Sequence, residues 1–348
     1  MNMTFTTRRR LQRAGLISLI VVTLSILIWF CWIVWVERYM VYSGDGAALD
    51  FSLSANVGSG QIARPPSAEE TVSIYVNEGS NAINTNTELT QISGYFIDTD
   101  TLTDDFNTAK NAIASLPADT AVMIELKNIW GSFFYTSGLE NATLSTKLDT
   151  GKVDELIEEV TSRNLYAIAL IPAFRDRYYF LASNSNTSAG LARAGKGYLW
   201  EDEDSCYWFN PTSAKTTNWL VSITEELKAL GFDEVVFSEF RVPTSGSISF
   251  NEDANTAIAT AAATLVSKCA TESFAVSFLT TDPNFPMPTG GRCRLYLKDI
   301  GAKDAESVAS RVNVPDKAIN LVYVTNTNDT RYSAYSYLRP IATYGENG

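Results

Sequence analysis

The chain has 348 residues, 45% hydrophobic and 19% charged, the composition of a folded globular protein. Its net charge of −12 argues against nucleic acid as a partner. The absence of histidine excludes Ser-His-Asp triads, Cys-His dyads and His-ligated metals, so any acid–base chemistry falls to carboxylates, Lys, Tyr or Cys.

Arg8, Arg9, Arg10 and Arg13 precede 23 residues, 14–36, that carry no charge. A helix rises about 1.5 Å per residue, so this run crosses a hydrocarbon core ~30 Å thick. Residues 1–13 are expected as a cytoplasmic basic tail and 14–36 as a transmembrane signal anchor, with the remainder extracellular. Trp29, Trp32, Trp35 and Tyr39 crowd the far end, where amphipathic rings favour the interface. A cleaved signal peptide fits less well. The run exceeds the usual apolar core of about 7–15 residues, and no small-x-small site follows closely. Beyond residue 38 the balance is 22 basic to 38 acidic residues, a net of −16.

Residues 37–70 read as a stalk, from the small and polar run 52–60 and the break at Arg64-Pro65-Pro66. Residues 71–77 (TVSIYVN) predict a strand at the margin of a folded part spanning 71–348. From residue 92 the pattern becomes rhythmic. Apolar runs at 94–98, 121–127, 166–173, 234–240, 274–279, 293–298 and 319–325 suit strands buried on both faces. Helical stretches at 104–116, 152–163, 213–230, 253–270 and 303–312 lie between most of them. Gly231 after Leu230 predicts a helix stop.

Seven strands in alternation with helices predict an α/β class. A (β/α)8 TIM barrel comes first, since ~250 residues is its usual size, and an open doubly wound sheet second. Short late connections predict irregularity in the last quarter. No Gly-x-Gly-x-x-Gly or Walker-type loop follows the first strand, which weakens nucleotide binding.

A barrel gathers the C-terminal ends of its strands at one mouth. The polar residues expected there are Asp98, Glu125, Lys127, Arg175, Asp176, Ser238, Glu239 and Arg241. Glu125 and Glu239 interrupt apolar strands, which is costly unless they are paired or functional. Paired carboxylates supply the acid and the nucleophile or base of most glycosidases. Ion pairing of Glu125 with Lys127 or Arg175, and of Glu239 with Arg241, is the competing explanation. Aromatic faces at Trp130, Trp200 and Trp208 suit sugar rings, or else pack the long loops. The acidic run 201–204 is either a solvated loop or an oxygen-ligand site for Ca²⁺. No metal or cofactor is assigned. Cys269 and Cys293, at the expected N-terminal face, are candidates for a disulfide, which persists outside the cell.

The segment 198–243 resembles a bacterial glycoside-hydrolase-like domain family. That family shows a Trp, a Trp-Val-Asp-Pro element, Leu-Gly-Phe-Asp-Glu-Ile, and Phe-Asp-Tyr-Val-Arg-Phe-Pro. Trp200, Trp208, Asn210 and Pro211 match the first parts, residues 230–234 the next, and Phe237, Arg241 and Pro243 the last. Residues 121–131 and 169–176 resemble its upstream elements. The resemblance implies a (β/α)8 barrel of carbohydrate-active ancestry, with Asn210 among the residues at the site. The family's Asp in the last element is Ser238 here, with Glu239 one place on. Adjacent strand residues point to opposite faces, so Glu239 replaces that acid only if a bulge shifts the strand.

Together these readings predict a membrane-anchored, extracytoplasmic protein that hydrolyses envelope or extracellular polysaccharide through Glu125 and Glu239. Asp98, Lys127, Trp130, Arg175, Asp176, Trp200, Trp208, Asn210, Ser238 and Arg241 would bind the substrate. The alternative is a catalytically degenerate barrel that binds glycan or another envelope protein.

Overall fold

Apolar runs with both faces covered close on themselves in the computed structural model. Eight parallel strands form one closed barrel, each hydrogen-bonded to the next in chain order. They are β1 Ser93–Ile97, β2 Ala121–Glu125, β3 Tyr166–Pro172, β4 Glu234–Ser238, β5 Ala275–Thr280, β6 Leu295–Lys298, β7 Leu321–Val324 and β8 Ser336–Pro340. Closure runs from Tyr337↔Ser93 to Pro340↔Phe96. The structure describes residues 89–182 and 187–345, together with a hairpin of Met40–Ser43 and Gly46–Leu49. The expected span at 14–36, most of the stalk and the strand at 71–77 lie outside the described residues. Among those described, no helix is long and apolar enough to cross a membrane.

Helices α1 Thr99–Asp104 and α2 Phe106–Ser115 follow β1, and α3 Thr150–Ser162 follows β2. After β3 come α4 Tyr178–Ala182 and α5 Ala214–Ala229, and after β4 comes α6 Ala254–Cys269. Helices α7 Ala305–Arg311 and α8 Lys317–Asn320 join β6 to β7. Among the described residues no α-helix joins β5 to β6 or β7 to β8, so the last quarter is irregular as expected. The 3.6-residue period works as read in α3. Its stripe Val153, Leu156, Ile157 and Val160 is buried, and the Asp149 side chain caps its start by accepting from the Gly151 amide at 3.1 Å. Helix α5 stops where the left-handed Gly231 (φ 91°) turns the chain.

Inside the barrel, Ala121, Met123, Ile168, Val236, Leu279, Tyr296, Val322 and Leu338 form an apolar plug, distinct from the larger core under the helices. Below the plug, towards the N-terminal ends of the strands, lies a polar floor. Arg294 pairs there with Glu234, and both are fully buried. The Tyr166 hydroxyl donates to Glu234 Oε2 at 2.9 Å, and Ser277 Oγ donates to Oε1. Arg294 also donates to the carbonyls of Thr90 (2.9 Å) and Ile319 (3.1 Å).

The expected disulfide is not formed. Cys269 and Cys293 are both free and buried. The Cys269 thiol is engaged by Thr224 of α5, while Cys293 sits before β6 beside Glu234 and Arg294. The two thiols therefore belong to different surroundings. Burial pushes the Cys293 thiol up to about 12, despite the opposing Arg294 charge.

Candidate functional site at the barrel mouth

Glu125 is the last residue of β2, on the same face as Met123, and so points up the barrel axis. Its Oε2 accepts the backbone amide of Thr99 at 3.1 Å. Burial raises the pKa of its carboxyl above the ordinary value, the Thr99 amide opposes that, and Asp98 adds to the rise. Lys298, at the end of the opposite strand β6, pulls the other way. The net shift is upward, and the carboxyl faces a cavity of about 1160 Å³.

A quarter-turn round the barrel from Glu125, β4 ends at Ser238, paired with Pro172, and the next residue leaves the sheet. Glu239 is left-handed (φ 50°), a conformation that costs an L-residue ~1–2 kcal/mol. The turn supplies the shift that strand alternation alone would forbid, and both Ser238 and Glu239 line the cavity. The Glu239 carboxylate lies 3.2 Å from Arg241 Nη2. The end of β6 repeats the device, with Lys298 ending the strand and Asp299 left-handed at φ 62°. Both of these residues line the same cavity, as do Asp98, Arg241, and the paired Asp329 and Arg331. Asp98 caps α1, accepting from Thr101 N (2.8 Å) and Oγ1 (2.6 Å).

The remaining sequence candidates sit beside or beneath the mouth. Lys127 does not pair with Glu125. The chain leaves β2 after Glu125, and Lys127 turns into a fully buried ion pair with Asp176 at 2.8 Å, also donating to the Pro172 carbonyl. Asp176 Oδ1 accepts the Tyr179 amide at 2.8 Å, fixing α4. A Cβ on Gly131 (φ 97°) would lie 1.9 Å from Asp176 Oδ1, so this loop requires glycine there. Arg175 is likewise not Glu125's partner; it pairs with Asp202 (2.7 Å) and Asp204. Those contacts engage Asp202 and Asp204 of the acidic run 201–204 with a protein cation. Among the described residues no three His, Cys, Asp or Glu side chains gather as a metal would need.

Trp208 (2% exposed) and Trp200 (9%) are packed rather than open to a ligand. Trp208 Nε1 donates to Asp202 Oδ2 at 2.8 Å. Asn210 Oδ1 accepts from Thr212 N (3.0 Å) and Oγ1 (2.9 Å), shaping the turn into α5. Trp130 is different. It is 39% exposed, follows the cavity-lining Ile129, and its carbonyl accepts the amides of Arg177 and Tyr178, both at 2.9 Å.

Sequence reasoning missed Lys298, Asp299, Asp329 and Arg331. The signal at Lys298 was the same as at Glu125, a charge closing an apolar strand. It went unused because the late strands carry no long βα loops to draw attention to their ends.

Residues 104–276 match a family model described as "Putative glycosyl hydrolase domain". Among solved structures the chain is similar to a hypothetical protein from Ruminiclostridium thermocellum, with 21% identity over 53% of this chain and 96% of that one, at a TM-score of 0.44. It is also similar to a family 20 exo-β-N-acetylglucosaminidase from Vibrio harveyi (12% identity, 67% of this chain, 41% of that one, TM-score 0.44). The chitobiase of Flavobacterium johnsoniae is similar at 9% identity, over 68% of this chain and 38% of that one, with a TM-score of 0.46. The chain thus spans less than half the length of these two enzymes. No curated protein matches the sequence.

Proposed function

We propose, from the premise that residues 104–276 belong to this glycosyl hydrolase-like family, that the barrel cleaves a glycosidic bond at its mouth. The observation that carries the reading is Glu125, whose carboxyl is shifted by burial towards the protonated form, opening onto a cavity that also holds the Glu239 carboxylate. Glu125 then protonates the departing glycosidic oxygen as general acid. Glu239, held beside Arg241, acts on the opposite side of the sugar as nucleophile or base. Ser238, Lys298 and Asp299 offer hydrogen bonds to sugar hydroxyls, and the exposed Trp130 offers a flat face to a further ring at the rim.

In this proposal residues 14–36 anchor the protein in the membrane, with the N-terminus in the cytoplasm. The barrel then meets envelope or extracellular polysaccharide. Full-length protein incubated with a panel of glycans, read for both binding and release, tests the chemistry. Release by wild type and its loss in Glu125→Gln is the expected result. Retained release in that variant removes Glu125 from the role. Protease added to intact cells should digest the barrel, and protection would refute the topology.

A second reading is glycan binding without cleavage. It is favoured by Ser238, a hydroxyl that stands where the resembled family carries its acid. Glycan binding with no release from any member of the panel would establish it.

A further inference from the structure

We infer that Trp208 is a positioning residue for Glu239, acting through Arg241 from beneath the mouth. This rests on the hydrolase reading, in which Glu239 faces the sugar.

Arg241 has 58% of its side chain exposed, yet it is held at two points. Its Cζ lies 4.7 Å from the centroid of the Trp208 ring, and its Nη2 lies 3.2 Å from Glu239 Oε2. That oxygen is buried and has no hydrogen-bond partner among the described residues, so the Arg241 ion pair alone fixes it. The carboxylate's place in the mouth therefore depends on where the guanidinium rests.

Beneath Arg241 the support is rigid. Trp208 is 2% exposed, and its Nε1 is tied to Asp202 at 2.8 Å. Asp202 is itself tied by Arg175 Nε at 2.7 Å and by the amides of Asp204 (3.0 Å) and Cys206 (2.9 Å). The Arg175 guanidinium also lies over the Trp208 ring, at 5.8 Å. An aromatic face attracts a guanidinium through its quadrupole, which an aliphatic side chain of similar bulk does not. A solvent-exposed arginine otherwise samples many rotamers, and the ring restricts that freedom. Trp208 thus orients the reacting carboxylate without reaching the ligand.

The test is a double-mutant cycle in the full-length protein on a glycan that wild type cleaves. Trp208→Leu is expected to lower kcat about two- to fivefold with little change in KM, the scale of a cation–π contact to an exposed guanidinium. Arg241→Ala should lower kcat at least as much, and adding Trp208→Leu to it should lower kcat no further. Trp208→Phe, which keeps an aromatic face, should restore most of the loss seen with leucine. Independent, multiplying losses in the double variant would show Trp208 to be packing only and overturn the inference. If Trp208→Leu does not fold, the Trp208→Phe and Arg241→Ala cycle is read in the same way at smaller amplitude.

If wild type cleaves nothing, the hydrolase reading fails separately, and the positioning is read without activity. The ¹³C carboxyl chemical shift of Glu239, assigned through Glu239→Gln, is compared between the variants at one fixed pH. Trp208→Leu should displace that signal as Arg241→Ala does, and add no further displacement on the Arg241→Ala background. An undisplaced Glu239 signal in Trp208→Leu overturns the inference.

Discussion

The barrel holds a glutamate near each end, fully buried on the floor and half-buried at the mouth, and the two differ in how completely they are partnered. Glu234, on the floor, has a guanidinium, a phenol and a hydroxyl on its two oxygens and no access to solvent. Glu125, at the mouth, has one backbone amide and no ion pair among the described residues, and it opens on a cavity. Burying a carboxylate costs free energy, and most where no solvent reaches it. On the floor, matched charge and hydrogen bonds offset that cost. At the mouth fewer partners offset it, and the carboxyl's affinity for its proton rises. A filled partner set makes Glu234 structural, and the sparser one at Glu125 is what the hydrolase proposal builds on.

Four measurements press on this contrast, and the largest effect is expected on the floor. Arg294→Met strands the Glu234 carboxylate in a closed, apolar place. It should lose ~3–5 kcal/mol of stability by chemical denaturation, since breaking a buried pair is far worse than replacing it whole. Stability within 1 kcal/mol of wild type, allowing about that much for error, would mean the floor is as open as the mouth.

Glu125→Gln should do the reverse. Glycan release should vanish while the melting temperature stays level or rises slightly at neutral pH. A fall comparable to that of Arg294→Met would erase the distinction.

The pH dependence follows from the sign of the Glu125 shift. A carboxyl raised by burial above its ordinary value of 4.5 binds its proton more tightly folded than unfolded. Its contribution to stability is therefore full below that value and is lost as pH rises through the folded one. The stability gap between Glu125→Gln and wild type should widen over that window, and the general-acid limb of release should decline over it. A gap that narrows with rising pH would reverse the assignment.

The smallest effect belongs to Lys298→Gln. Lys298 lowers the Glu125 value, so its removal should move the declining limb to higher pH. A move to lower pH would show that Lys298 does not face Glu125 across the mouth.

Much of the scaffold was legible. Seven strands and the flanking helices fall within a few residues of their apolar runs, because strands buried on both faces must be apolar throughout. The eighth was not legible. Its sequence, SYLRP, alternates an inward Ser336 and Leu338 with Tyr337 and Arg339, and its proline argues against a central strand. At the site, Glu125 and Glu239 stood out as charge in apolar runs, and both line the cavity. The partners were not. Lys127, Arg175, Trp200 and Trp208 sit in loops whose paths no periodicity encodes, and each is engaged by a neighbour distant in sequence. Glu234 was also hidden, since an acid opening a strand looks the same whether or not an arginine 60 residues away completes it.

The left-handed backbone at Glu239 and Asp299 bears on engineering for heat tolerance. A screen that scores only survival at high temperature rewards whatever relieves local strain, and glycine relieves it at both positions by about 1 kcal/mol or less. Asp299→Gly and Glu239→Gly should each raise the melting temperature by up to about 2–4 °C. Under the hydrolase proposal only the second erases turnover. Selection blind to catalysis would therefore accept both changes, and the gain in robustness at residue 239 would carry a silent loss of function.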